Sequence, residues 1–196
     1  MIVRAPGDPF EIDYIVASMR KLTHEEISRS RFTPGQLASE ERFPIHVLLD
    51  SVRSLYNVGS IFRTADGARI AKLHLCGFTP YPPRKEIDKT ALGATQTVQW
   101  EYSRDPAPVI RLLKSQGVRI CALEHTDRSI PYYALRPGDF PLCLIVGNEV
   151  GGISPQLLAE ADSAVEIPMY GMKQSLNAAV ALGIALFDCV RILRGS

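Results

Sequence analysis

Residues 142–146, Leu-Cys-Leu-Ile-Val, form an unbroken apolar run that passes directly into Gly147-Asn148-Glu149-Val150-Gly151-Gly152. An apolar run of this kind is the pattern of a strand covered on both faces, which is the situation of strands in parallel sheets. The Gly-rich loop at its end exposes backbone N–H and C=O groups with few side chains in the way, which suits a ligand read by main chain. The design then repeats. Val165-Glu166-Ile167-Pro168-Met169 reads as a short strand and Tyr170 to Gln174 as a loop. Ser175-Leu176-Asn177 opens a last, largely apolar helix, with Ser175 suited to the N-cap. Two loops at neighbouring strand ends form two walls of one pocket.

The preceding chain supplies the rest of such a sheet. Ile45 to Leu49, Lys72 to Phe78, Val98 to Tyr102 and Val118 to Leu123 read as strands. Helices are expected after Asn57, as its N-cap, and over Pro106 to Gln116. A long polar loop with Pro80, Pro82 and Pro83 precedes Lys89-Thr90-Ala91-Leu92-Gly93-Ala94. Strands separated by helices predict an α/β fold: a parallel sheet with helices on both faces. Residues 43–196 make the main domain. Residues 1–42 make an N-terminal extension with a helical centre near Asp13 to Leu22.

The helix after Asn57 gathers Val58, Ile61, Phe62, Ala65 and Ala68 on one face, and Arg63 falls on the opposite one. Spacing alone makes Arg63 a solvated cation, paired with Asp66 at i+3. Gly59 and Gly67 share its face, and each costs a helix interior about 1 kcal/mol relative to Ala. Their presence points to close approach by backbone or substrate.

Three segments resemble the motifs of the SpoU/TrmH family, RNA 2′-O-ribose methyltransferases of the SPOUT superfamily. They are Asn57-Val58-Gly59-Ser60-Ile61-Phe62-Arg63, GNEVGGIS from Gly147, and IPMYGMKQSLNAAVA from Ile167. The resemblance covers roughly residues 45 to 192. It implies a C-terminal deep trefoil knot, which periodicity would not give, because knots are rare exceptions to ordinary connectivity. It also implies a pocket for S-adenosylmethionine, with S-adenosylhomocysteine as product and no metal, a homodimer, and an RNA substrate, tRNA before ribosomal RNA. Residue by residue, it implies a catalytic set of Asn57, Arg63, Glu149, Ser175 and Asn177. Cofactor contacts fall on Gly147, Asn148, Gly152, Ile167, Met169, Ser175 and Leu176. Glu149 is expected to orient Arg63 or Asn57. Lys89 and Arg84, with Lys85 and Tyr81, are substrate-side candidates, since alternating cations and aromatics suit single-stranded RNA.

Composition restricts the alternatives. The formal net charge is only +1, so an RNA surface must come from clustering or from a dimer pooling its cations. Cys76, Cys121, Cys143 and Cys189 are widely spaced in apolar patterns, without a CxxC pair, and read as buried free thiols of a reducing compartment. His24, His46, His74 and His125 are scattered, with no zinc spacing. The last helix is interrupted by Asp188 and Arg191 and is too short to span a bilayer; the protein is expected to be cytoplasmic and off the membrane. A nicotinamide oxidoreductase would need GxGxxG after the first strand, which is absent, and so is a P-loop GxxxxGK[ST]. A non-catalytic RNA-binding relative would have no need of all five catalytic-motif residues.

Overall fold

The computed structural model describes residues 19–29 and 31–195. These fall into two units, one ending at Ala38 and one beginning at Ser39. Of the helix expected over Asp13 to Leu22, residues 13–18 lie outside the described residues, and residues 19–22 are not helical. The first helix, α1, runs instead over His24–Arg29. Thr23 and Glu26 cap it reciprocally: the Thr23 N–H donates to Glu26 Oε2 at 2.8 Å and the Glu26 N–H to Thr23 Oγ1 at 3.3 Å. Thr33 and Gln36 repeat the device ahead of α2, Pro34–Ser39.

The second unit is a seven-stranded parallel sheet. Its strands are β1 Phe43–Asp50, β2 Ile70–Cys76, β3 Trp100–Ser103, β4 Arg119–Leu123, β5 Ile130–Pro131, β6 Leu142–Val146 and β7 Ser163–Glu166. They lie side by side in the order β3-β2-β1-β6-β4-β7-β5. Register places Ile45 beside Leu142 and Leu49 beside Val146 on one side of β6, and Ala122 opposite Ile145 of β6. The apolar run at 142–146 is thus the middle of the sheet, buried at all five positions.

Helices cover both faces, as strand alternation predicts. One face carries α3 Leu55–Gly67, α4 Lys85–Ala91 and α7 Ala178–Arg194. Their buried residues, among them Val58, Phe62, Ile87, Leu182 and Leu186, share a core with Val47, Leu73 and Leu144. The other carries α5 Ala107–Ser115 and α6 Pro155–Ala159, with Ile110, Leu113 and Leu157 packed on Leu48, Ile120 and Ile145. The four cysteines are free and buried. Among the described residues no helix is long and apolar enough to cross a membrane.

Several boundaries differ from the sequence reading, each for a local reason. α3 begins at Leu55 because Ser54, not Asn57, is the N-cap, its hydroxyl accepting the Asn57 N–H at 3.3 Å. α7 is capped by Asn177, not Ser175; Asn177 Oδ1 accepts from Ala179 N–H at 3.0 Å and Val180 N–H at 3.3 Å. β7 ends at Glu166, ahead of Pro168, which cannot donate to a ladder. The stretch read as polar loop and Lys89 tract contains α4, which packs hard on α3. A Cβ on Gly59 would come within 2.0 Å of Thr90 Oγ1 and 2.3 Å of the Ile87 carbonyl oxygen. Gly59 is therefore small to admit backbone of α4, not substrate.

Candidate active site

All parallel strands point their C-terminal ends the same way, so the segments after β1, β4, β6 and β7 gather at one edge of the sheet. There the segments after β4, β6 and β7, with the start of α7, enclose a cavity of about 330 Å³. The seven residues that the family resemblance assigns to the cofactor, Gly147, Asn148, Gly152, Ile167, Met169, Ser175 and Leu176, all line it. Glu149 and Asn177 line it too.

The wall after β6 is held rigid by its own hydrogen bonds. Asn148 and Gly152 exchange N–H···O=C bonds, both 2.9 Å, closing the loop on itself. Asn148 Oδ1 accepts from the N–H groups of Val150 and Gly151, and its Nδ2 donates to the Ser51 carbonyl at 2.8 Å. Two glycines are sterically required. A Cβ on Gly147 would sit 2.1 Å from the Gly152 carbonyl carbon, and Gly152 itself has φ +66°. Across the loop, Glu124 Oε2 accepts the Ile153 N–H at 3.1 Å and Asp50 Oδ2 accepts the Ser154 N–H at 2.7 Å.

Three catalytic-motif residues meet in one chain of hydrogen bonds. Glu149 Oε2 accepts the Arg53 N–H at 3.0 Å; Glu149 Oε1 accepts the Ser54 N–H at 3.1 Å and Asn57 Nδ2 at 2.9 Å. Asn57 Oδ1 in turn accepts from Asn177 Nδ2 at 3.0 Å. The first turn of α3, the Gly-rich loop and the N-terminus of α7 are thereby locked together, although residues 57, 149 and 177 are far apart in sequence. Burial works to raise the Glu149 pKa, but the N–H groups of Arg53, Ser54 and its own backbone, with Asn57, outweigh it and hold it below the usual value. Of the two roles expected for Glu149, the structure has it bonded to Asn57.

Arg63 stands apart from this chain. It is exposed on α3, outside the cavity lining, and its side chain has no hydrogen bond or ion pair among the described residues. Asp66, its expected i+3 partner, instead accepts a hydrogen bond from Thr97 Oγ1 at 2.5 Å. Arg84 and Lys89 are also exposed and outside the cavity, at the N-cap and in the last turn of α4.

Sequence reasoning missed the wall after β4. Glu124 and His125 line the cavity, as does Glu166 at the end of β7. Glu166 Oε2 accepts from Ser129 Oγ at 2.5 Å and lies 3.3 Å from His125 Nδ1. These hydrogen bonds, Ser129 first, hold Glu166 below the ordinary carboxylate range. No spacing marks this group, because its members come from two strands that become neighbours only in the sheet. Among the described residues no cluster of His, Cys, Asp and Glu has the arrangement of a metal site.

A parallel α/β sheet with one pocket walled by paired loops at its C-terminal edge defines a class of nucleotide- and cofactor-binding folds. The particular family follows from comparison with known proteins. The model of the SpoU rRNA Methylase family matches residues 44–187, and the chain belongs to that family. The chain is 33% identical over 147 residues to the tRNA (guanosine(18)-2'-O)-methyltransferase of Escherichia coli K12, covering 74% of this chain and 62% of that protein. It thus spans about three fifths of the length of that relative. Its fold matches the TrmH/SpoU tRNA modifying enzyme of A. aeolicus with a TM-score of 0.74, at 27% identity, over 87% of this chain and 84% of that one. It also matches the AdoMet-bound rRNA methyltransferase of Sinorhizobium meliloti, with a TM-score of 0.71 at 32% identity, over 82% and 61% of the two chains.

Proposed function

We propose that this protein transfers a methyl group from S-adenosylmethionine to a ribose 2′-hydroxyl of RNA, with tRNA as the substrate class. The observation that carries the reading is the cavity itself: residues of both C-terminal motifs wall it, and every residue assigned to the cofactor lines it. The lining also suits the donor chemically. Leu123, Ile167, Met169 and Leu176 offer apolar surface to a purine, and Glu124, Glu149 and Glu166 place carboxylates around the same cavity for a cationic ligand. The cofactor supplies an activated methyl on a sulfonium. The trefoil threading implied by the family belongs to the same reading, as does the division into a 1–42 extension and a 43–196 catalytic domain.

The protein's own residues have distinct tasks. Glu149 and Asn57 are positioning residues that hold the α3 start against the Gly-rich loop. Asn177 continues this to α7, while Ser175 faces the cavity. Arg63 is the group for the nucleophile. A guanidinium is never deprotonated in a protein, so Arg63 does not act as a literal base. It donates to the developing alkoxide and to the neighbouring phosphate, and the proton passes to phosphate or water. Lys89 and Arg84 steer the RNA.

The isolation of Arg63 from the cavity supports a homodimer whose site is built across two copies. So does α7, where Val180, Ile184 and Phe187 form an exposed apolar stripe at i, i+4 and i+7. Such a dimer operates in the cytoplasm on soluble RNA. The name of the Escherichia coli relative favours tRNA; that of the Sinorhizobium neighbour makes ribosomal RNA the second reading.

The test is transfer of labelled methyl into unmodified tRNA and rRNA fractions, with products mapped and Arg63→Ala and Arg63→Lys run alongside. Label in tRNA as a 2′-O-methyl nucleotide, lost in both variants, is expected. Label in rRNA alone moves the substrate. Tight cofactor binding without label in either fraction refutes the enzyme reading in favour of a binding-only protein, and near-normal turnover by Arg63→Lys refutes the role given to the guanidinium fork.

A further inference from the structure

Three aromatic side chains stand in solvent at the same sheet edge as the cavity, on the segments that follow β2 and end β3. Phe78 is 77% exposed, Tyr81 44% and Tyr102 39%. They are not loose ornaments of a flexible loop. The Tyr102 hydroxyl donates to the Gly77 carbonyl at 2.9 Å, and Tyr81 lies over Tyr102 with ring centroids 4.3 Å apart and planes tilted by 35°. Gly77 takes φ +65°, where a Cβ would meet Ser51 Oγ at 2.3 Å, so the chain turns tightly enough to push Phe78 outward. Thr79 is buried beneath, its hydroxyl donating to the Leu49 carbonyl at 3.2 Å and accepting the Val52 N–H at 3.1 Å.

The same anchor serves this loop and the pocket. The Ser51 hydroxyl accepts the Phe78 N–H at 3.3 Å, while the Ser51 carbonyl accepts Asn148 Nδ2 of the Gly-rich loop at 2.8 Å. The Phe78 backbone is therefore tied through Ser51 to the Gly-rich loop that walls the cavity. Cations border the patch: Arg84 and Lys85 follow Tyr81, Arg104 follows Tyr102 by two residues, and Arg53 lies two beyond Ser51. None of the four side chains has an ion pair among the described residues. Arg69, Lys72, Lys114, Arg119 and Arg191, by contrast, each sit on a carboxylate.

We infer that Phe78 and Tyr81, backed by Tyr102, form a stacking platform for an unpaired base of the RNA, flanked by phosphate-binding cations. Rigid exposed aromatics interleaved with free cations are what a single strand requires: every base has a π-face to stack, and the backbone needs positive charge alongside. A platform tied to the Gly-rich loop through Ser51 fixes the strand at a set distance from the reacting ribose. This inference rests on the RNA-methyltransferase reading and names the form of RNA the site takes, with an unstacked base beside the target.

The test separates the two. A fluorescein-labelled 12-nucleotide oligouridylate and an abasic ribose-phosphate oligomer of the same length are titrated by anisotropy against the full chain. The native protein is expected to prefer the base-bearing strand about ten-fold. In F78A/Y81A both strands should bind equally, at the abasic affinity, with the salt dependence set by phosphate contacts unchanged. Phe78→Trp should restore the preference. The inference is overturned if the double variant keeps the base preference, or if light scattering shows that it loses self-association, which would make the patch a protein contact. Base preference without methyl transfer into any RNA would leave the platform standing and remove the activity. Methyl transfer with no base preference would do the reverse.

Discussion

Replacing Glu149 by Gln removes one charge and changes almost no volume, so it isolates what the carboxylate contributes. Three N–H donors converge on its two oxygens: Arg53 N and Ser54 N of the α3 entry and Nδ2 of Asn57. A glutamine keeps one acceptor oxygen. Placed at the Oε1 position, it preserves two bonds but turns its NH2 toward the Arg53 N–H, donor against donor. A hydrogen bond to a charged group contributes about 1.5–3 kcal/mol and a neutral one about 0.5–1.5. Two bonds therefore weaken and one is lost. Glu149 is exposed to water, so the sum is discounted to about 1–2 kcal/mol. For a domain of this length each kcal/mol moves the melting temperature by about 2–4 °C, giving a fall of about 2–8 °C at pH 7. The effect has a pH signature. The native pKa lies below the unfolded value of about 4.3. The native state therefore binds fewer protons, and the contribution is present above that value and lost as pH falls through the native pKa. Scanning calorimetry of both proteins from pH 7 to pH 3 should show the gap closing on the acid side. A gap that is absent at pH 7, or equal at both ends, refutes the reasoning.

Gly59→Ala should destabilise despite the better helix propensity of alanine, worth about 1 kcal/mol. The Ile87 carbonyl would have to retreat about 1 Å, and overpacking of that kind costs about 1–3 kcal/mol; a raised melting temperature would show that α4 yields. Acidification should weaken the protein through a second group. His46 Nδ1 lies 3.1 Å from His74 Nε2, and burial, with the His74 charge next, pushes the His46 pKa down to about 4. The unfolded state binds more protons between about pH 6.5 and 4, so stability falls as pH drops through that window. His46→Gln should flatten the slope measured by urea denaturation. The thiols should be inert: burial pushes Cys76 and Cys189 up to about 12 and Cys121 to about 11. Native protein should take up no iodoacetamide at pH 8, and unfolded protein should take up four equivalents; fast native labelling would contradict the packing.

What the sequence determined by itself is the layered α/β plan and the Gly-rich wall of the cavity; the individual cofactor residues were implied by the family resemblance. Leu142 to Val146 is apolar at every position because its strand has neighbours and helices on all sides, and that requirement is visible in composition. The Gly-rich loop was legible for a related reason: Gly147 and Gly152 answer to sterics that exclude any side chain. Of the two loops expected to wall one pocket, the Gly-rich loop does so, whereas Tyr170 to Gln174 stays out of the lining and only its flanks, Ile167, Met169 and Ser175 to Asn177, reach it. Caps were less legible, since Ser54 and Asn57, or Ser175 and Asn177, are equally competent by type, and only the chain direction at the helix entry selects one. Tertiary structure alone decided three things. It made a helix of 85–91, where local pattern was overridden by packing on α3. It gathered Glu124, His125 and Glu166 beside the cavity from strands adjacent in space but not in sequence. And it bonded Glu149 to Asn57 and Asn57 to Asn177 while leaving Arg63 outside. Short-range pattern records what each residue demands of its neighbours along the chain. A hydrogen bond spanning about a hundred residues exists only once the sheet has brought its partners together.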